Sequence, residues 1–98
     1  MEILKNKNGS SLVIALEGRL DTTTAPQLEA ELNSSLEDIT ELTLDFENLK
    51  YISSAGLRIL LAAQKTMNKQ GSMKLQHVNS DIMEVFEITG FSDILTIE

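Results

Sequence analysis

Glu2 to Lys7 and Ser11 to Glu17 are strand-like runs separated by Asn8-Gly9, a dipeptide that takes the positive φ values a tight type I′ hairpin demands. The second run carries apolar side chains on both faces, which predicts a strand covered on both sides in an open sheet. Gly18-Arg19-Leu20-Asp21 and three threonines follow, then Pro26 in what reads as a first helical turn, where its missing N–H costs nothing. Thr24 with Gln27 spells a capping box. Ala25, Leu28, Leu32 and Leu36 recur at spacings of three and four and paint one apolar stripe on a helix ending near Leu36.

Alternation returns from Glu41 to Phe46, with Leu42, Leu44 and Phe46 on one side and Thr43 and Asp45 on the other. A loop over Glu47 to Ser53 is expected next. From Ser54 to about Gln70 the period is helical again: Leu57, Leu60, Leu61 and Met67 share a face that Arg58, Lys65 and Lys69 avoid, and Gly71 supplies the stop. Met73 to Val78 predicts a fourth strand. Asn79 or Ser80 caps a third helix carrying Ile82, Val85 and Phe86, which Gly90 ends; the tail from Phe91 is too short to classify.

The predicted fold is α/β in the order β-β-α-β-α-β-α: a small mixed sheet, made of an N-terminal hairpin plus parallel strands, flanked by helices in one domain over residues 1–98. Its predicted core is Ile14, Leu16, Leu28, Leu32, Leu44, Phe46, Leu57, Leu60, Leu61, Val85 and Phe86. Loops leaving the carboxyl ends of parallel strands share one edge, where ligands and partners generally meet such a sheet. Gly18 to Thr24, Glu47 to Ser54 and His77 to Ser80 converge there.

Composition narrows the classes. A chain of 98 residues can bury about 65% of its extended surface, enough for one modest core. With 42% hydrophobic, 23% charged and only 4% aromatic residues, that core is aliphatic. A net charge of −7 has the wrong sign for phosphate backbones or anionic lipid, so no direct nucleic-acid or membrane partner is expected. The absence of cysteine excludes disulfides, thiolate zinc sites and a cysteine nucleophile, and points to a reducing cytoplasm. No apolar run nears the ~20 residues of a membrane span, and Met1-Glu2 is not a basic signal-peptide start.

Ser54, His77 and Asp21 offer the residue types of a nucleophile, base and orienting carboxylate. Their order and spacing match no Gly-x-Ser-x-Gly nucleophile elbow, so a small serine hydrolase is a poor reading and no catalytic residue is assigned. One histidine and scattered carboxylates form no metal-ligand spacing, and no glycine-rich phosphate cradle appears, so no metal or other cofactor is expected. The unusual segment is Tyr51-Ile52-Ser53-Ser54-Ala55-Gly56-Leu57. The bland reading of a serine at a loop-to-helix junction is a cap on an orphan N–H and nothing more. Gly56 in the first turn is less easily dismissed: glycine there costs ~1 kcal/mol against alanine and is normally chosen for close approach by something.

Leu44-Asp45-Phe46 through Tyr51 to Arg58, preceded by Glu17-Gly18-Arg19-Leu20-Asp21 and Thr24-Ala25, resembles a STAS domain of the anti-sigma factor antagonist type over nearly the whole chain. The resemblance implies a non-enzymatic protein of the bacterial cytoplasm. Such a protein binds an anti-sigma factor that is also an ATP-dependent serine kinase, releasing a sigma factor. Phosphorylation of a serine at the start of the second helix switches it off, and a metal-dependent serine phosphatase restores it. By position, Ser54 becomes the phosphoacceptor, with Ser53 the lesser candidate, and Asp21, Thr22, Ser53, Ser54, Gly56 and Leu57 the partner-binding set. The alternative is a non-enzymatic scaffold subunit of a stress-signalling assembly or transporter complex, since STAS domains also serve there; an unfused chain disfavours a covalent transporter tail.

Overall fold

In the computed structural model, which describes residues 1–98, a hairpin opens the chain: β1 (Glu2–Asn8) runs antiparallel to β2 (Ser11–Leu20). The turn differs from the expected one. Asn8 remains in the strand opposite Ser11, so Gly9 and Ser10 form the tip, and Gly9 alone has a positive φ, 63°. Glycine at the first central position is the type II′ requirement.

Helix α1 (Ala25–Ser35), strand β3 (Glu41–Ile52), helix α2 (Ser54–Gln70), strand β4 (Ser72–Gln76) and helix α3 (Ser80–Thr89) follow. The sheet order is β1-β2-β3-β4, with β2, β3 and β4 parallel. This is the predicted order and sheet type. A 3-10 turn at Phe91–Asp93 leads to a tail that lies along β4: Leu75 N–H donates to Thr96 O and Glu98 N–H to Leu75 O, each at 2.9 Å. The tail thereby covers backbone groups of an otherwise open edge strand.

Two strands run longer than their alternation predicts. β2 continues past Glu17 to Leu20, and the expected loop at Glu47 to Ser53 is β3 as far as Ile52. From the pair Ala15↔Asp45 to the pair Leu20↔Ile52, β2 advances five residues and β3 seven, through register shifts at Ala15/Glu17 and Gly18/Arg19. Each shift inserts an extra residue in β3, so Phe46, Leu49 and Ile52 are buried at a spacing of three rather than the two that betrays a strand. β4 in turn stops at Gln76 instead of Val78, because His77 leaves the strand with φ 59°.

Leu12, Ile14 and Leu16 of β2 and Leu42, Leu44 and Phe46 of β3 are buried on one sheet face and join one core of 23 residues with the helices. Phe46 meets Phe86 of α3 at 6.4 Å between ring centroids. The other face is open: Val13 is 39% and Leu4 55% exposed. β2 is therefore not covered on both sides, as its apolar content had suggested; Val13 and Ala15 tolerate water on an antiparallel-edged sheet. Of the predicted core, Leu61 and Val85 are only half-buried and the other nine are buried. Both half-buried residues sit at the margin of a helical stripe, where spacing alone cannot tell core from flank.

The helix signals were partly misread. Thr24 precedes α1 but makes no side-chain cap, and Gln27 reaches Met1 O instead. Gly71 does end α2, though with extended φ of 173°. Its necessity is steric: a Cβ there would lie 1.9 Å from Thr40 O.

Candidate functional site

At the carboxyl ends of β2 and β3 the chain makes two strand-to-helix transitions side by side. Ser53 ties them together: its N–H donates to Leu20 O at 2.9 Å, and its carbonyl accepts Leu57 N–H at 3.0 Å. With φ −103° and ψ 176° its side chain turns back to accept Gly56 N–H at 3.5 Å, so Ser53 is the N-cap of α2. Ser54 is then the first helical residue. It is exposed and its hydroxyl makes no hydrogen bond. The two serines that sequence alone left interchangeable as caps thus have different surroundings.

Gly56 and Leu57 are buried beneath this edge. A Cβ at Gly56 would come within 2.7 Å of Leu20 Cγ and 2.9 Å of Ile52 Cγ1. Its missing side chain lets the first turn of α2 settle onto the ends of both strands. The close approach expected at Gly56 is with the protein's own core, and Gly56 and Leu57 set the height of the surface without forming it.

Asp21 organises the neighbouring transition. Its carboxylate accepts Thr23 N–H at 3.0 Å and Thr24 N–H at 3.1 Å, its N–H donates to Thr24 Oγ1 at 2.9 Å, and its carbonyl accepts Ala25 N–H at 2.8 Å. Asp21 and Thr24 bond one another reciprocally in the turn before α1, in place of the capping box expected of Thr24 and Gln27. The backbone hydrogen bond from Thr24, above all, holds the Asp21 carboxyl below the usual carboxylate range, against a smaller desolvation cost. Exposed Thr22 forms the tip of this turn. Between the two transitions lies a shallow groove, with Thr22, Pro26 and Glu29 on one side and Ala55, Arg58 and Ile59 on the other.

Sequence reasoning missed two features here. Arg19 and Tyr51 are paired in the parallel register, and the guanidinium stacks 4.2 Å from the ring centroid while its Nε lies 3.7 Å from Asp21 Oδ2. This pairing follows from the bulged register and had no signal in the alternation. Arg58, exposed on the second turn of α2, was read only as a residue facing away from the core.

His77 does not join Ser54 and Asp21. Its Nδ1 lies 2.8 Å from Asp45 Oδ1. The hydrogen bond to Asp45 raises the His77 pKa despite desolvation. Burial opposes ionisation of Asp45, but the hydrogen bonds from His77 and from Glu47 N–H prevail and lower its pKa. Asp45, Glu47 and His77 have potential ligand atoms within 4.8 Å of one another and are the grouping that could accept a divalent cation. Glu47 and His77 are exposed.

The comparisons agree with this geometry. A family model described as Mlab, STAS domain, matches residues 3–96. A Bordetella bronchiseptica protein provisionally named anti-sigma factor antagonist BtrV is 36% identical, over 99% of this chain and 85% of its own length. The anti-sigma-B factor antagonist of Bacillus subtilis is 31% identical, over 99% of this chain and 88% of its own. An anti-sigma factor antagonist of Mycobacterium paratuberculosis superposes with a TM-score of 0.88 at 22% identity, covering 98% of this chain and 83% of that one. The anti-sigma factor antagonist SpoIIAA in its unphosphorylated form gives 0.79 at 20% identity, covering 99% and 87%. Its phosphorylated form, described as a Bacillus cell fate determinant, gives 0.77 at 20%, covering 99% and 91%. These identities are too low for the structures to show more than the fold, but the family match and the curated relatives settle the membership: the chain is a STAS domain protein of the anti-sigma factor antagonist family.

Proposed function

We propose that this protein is a phosphorylation-switched binding module of the cytoplasm, not an enzyme, which sequesters an anti-sigma factor and so frees a sigma factor. The anti-sigma factor is also a serine kinase. The partner surface is the edge formed by Asp21, Thr22, Ser53 and Ser54, supported from beneath by Gly56 and Leu57. Ser54 is the phosphoacceptor: its Oγ bonds to the γ-phosphorus of ATP, the β–γ bridging P–O bond breaks, ADP leaves and the hydroxyl proton passes to a kinase base. A metal-dependent serine phosphatase reverses the modification by hydrolysis.

The observation that carries this reading is the division of labour between the serines. Ser53 spends its oxygen on the cap, whereas Ser54 Oγ is exposed and unbonded at the positive end of α2. A phosphate there meets free N–H groups and a favourable dipole, so the modified domain stays folded. The test is incubation with ATP and candidate kinases from the same genome, read by intact mass and peptide mapping. One added phosphate on Ser54, absent in Ser54→Ala, is the expected result. A label that maps to Ser53 refutes the assignment.

A further inference from the structure

Helix α2 has a one-sided charge. Over Ser54–Gln70 it carries Arg58, Lys65 and Lys69 and no acid, in a chain of net charge −7. Lys69, in the last turn, lies where the helix dipole favours a cation. Arg58 lies near the opposite, positive end, where the dipole works against it. The ion pairs of the structure join Lys5 to Glu31, Arg19 to Asp21, Lys74 to Glu98 and His77 to Asp45, and none includes Arg58. An exposed cation is thus held in an unfavourable place without a partner.

The compensating position on a helix is four residues toward the N-terminus, because an acid at i and a base at i+4 is the favoured orientation and places the two Cβ atoms about 5–6 Å apart. Here that position is Ser54, exposed and with a free hydroxyl. The helix has the basic half of an i,i+4 ion pair and a hydroxyl where the acid belongs.

We propose that Arg58 is the intramolecular receptor for a phosphate on Ser54, an inference that rests on the reading of Ser54 as phosphoacceptor. The dianion turns the lone guanidinium into the second member of a charge-assisted pair one helical turn long. The phosphate is then drawn along α2 over the mouth of the groove that Arg58 and Ala55 share with Thr22, instead of projecting into solvent. It masks the partner surface there with both charge and bulk. Glu29, across the same groove, is the competing acid; it carries one negative charge against nearly two on the phosphate.

Phosphoserine encoded genetically at position 54 produces the modified chain without a kinase, so the pairing is measurable whether or not any kinase accepts Ser54. 31P NMR titration follows the second ionisation of the phosphate, which lies near pH ~6 without partners. The expected midpoint in the otherwise unaltered chain is ~0.3 pH unit or more below that of Arg58→Gln. Arg58→Lys should fall between them, which also guards against a Gln variant that misfolds. Glu29→Gln should move the midpoint only downward and by less than Arg58→Gln raises it, since it removes a competitor for Arg58 and not the phosphate's partner; a rise on Glu29→Gln overturns the pairing. Titration curves that coincide for the unaltered chain and Arg58→Gln overturn the pairing. Failure of kinases to modify Ser54, seen by intact mass, overturns the switch reading and leaves this titration to decide the pairing by itself.

Discussion

Two adjacent serines with the same chemistry have different fates because their backbone conformations differ. Ser53 is extended and caps α2; Ser54 is already helical and cannot reach back. Replacing Ser53 by alanine is expected to cost ~1 kcal/mol of stability, the usual worth of a cap, whereas Ser54→Ala costs a few tenths at most. Chemical denaturation of both variants checks this, and equal losses would mean that the cap is shared. At Gly56 a methyl group would press on Leu20 and Ile52 at under 3 Å. Gly56→Ala should therefore lose ~1 kcal/mol net, the middle of a range of about 0–2 kcal/mol: overpacking costs about 1–3 kcal/mol, against the ~1 kcal/mol that alanine gains in helix propensity. A thermal midpoint at or above that of the parent would show that α2 can lift away without cost.

At the scale of elements, the register shifts between β2 and β3 bring the candidate edge into being. They carry β3 on to Ile52, place Tyr51 under Arg19 and deliver Ser53 beside Leu20 O. On the open face, β3 and the end of β4 are joined by Asp45 and His77. His77 has a folded pKa raised above 6.5, so the stability it contributes is complete below pH 6.5 and is lost as pH rises through the raised value. Asp45 has a folded pKa lowered from 3.8, so its contribution is present above pH 3.8 and is lost as pH falls through the lowered value. The pair accordingly supports the fold best between those two limits. Proton NMR titration of the single histidine should give a midpoint that falls in Asp45→Asn. An unchanged midpoint would remove Asp45 as the cause.

For the whole molecule, phosphorylation at Ser54 is expected to obstruct an otherwise unchanged surface. Between about −1.5 and −2 charges are added on an edge that already holds Asp21. One unfavourable contact at roughly 4 Å with an effective dielectric of about 20 is worth ~4 kcal/mol, or roughly a thousandfold in affinity. Calorimetry with the kinase partner at two salt concentrations should show that loss for the phosphorylated chain and a smaller one for Ser54→Asp, whose charge is lower and reach shorter. Equal affinities for the modified and unmodified chains refute the switch. Amide spectra of the free protein should change only near Ser54 and Arg58; shifts spread through the sheet would replace obstruction with rearrangement. Exchange protection by the partner should fall on the edge at Asp21 and Ser54, not at the opposite end near Asn8 and Gly71.

Periodicity in the sequence determined by itself the order of elements, the parallel sheet with its leading hairpin, the extents of α2 and most of the core, because burial on one face imprints a period of two or 3.6 on any chain. The Ser53-Ser54-Ala55-Gly56 segment was legible too, as an anomaly of small residues at a helix start. Tertiary structure alone decided the rest. Bulges erase alternation locally, so the second half of β3 read as loop. A cap depends on which residue is extended, so Ser53 and Ser54 could not be told apart, and Thr24 bonds back to Asp21 instead of forming a capping box with Gln27. Whether an apolar strand face is covered depends on where helices land, so Val13 looked buried and is not. And the pairing of Arg19 with Tyr51, like that of His77 with Asp45, joins residues 32 apart in the chain, a separation at which only the fold brings side chains together.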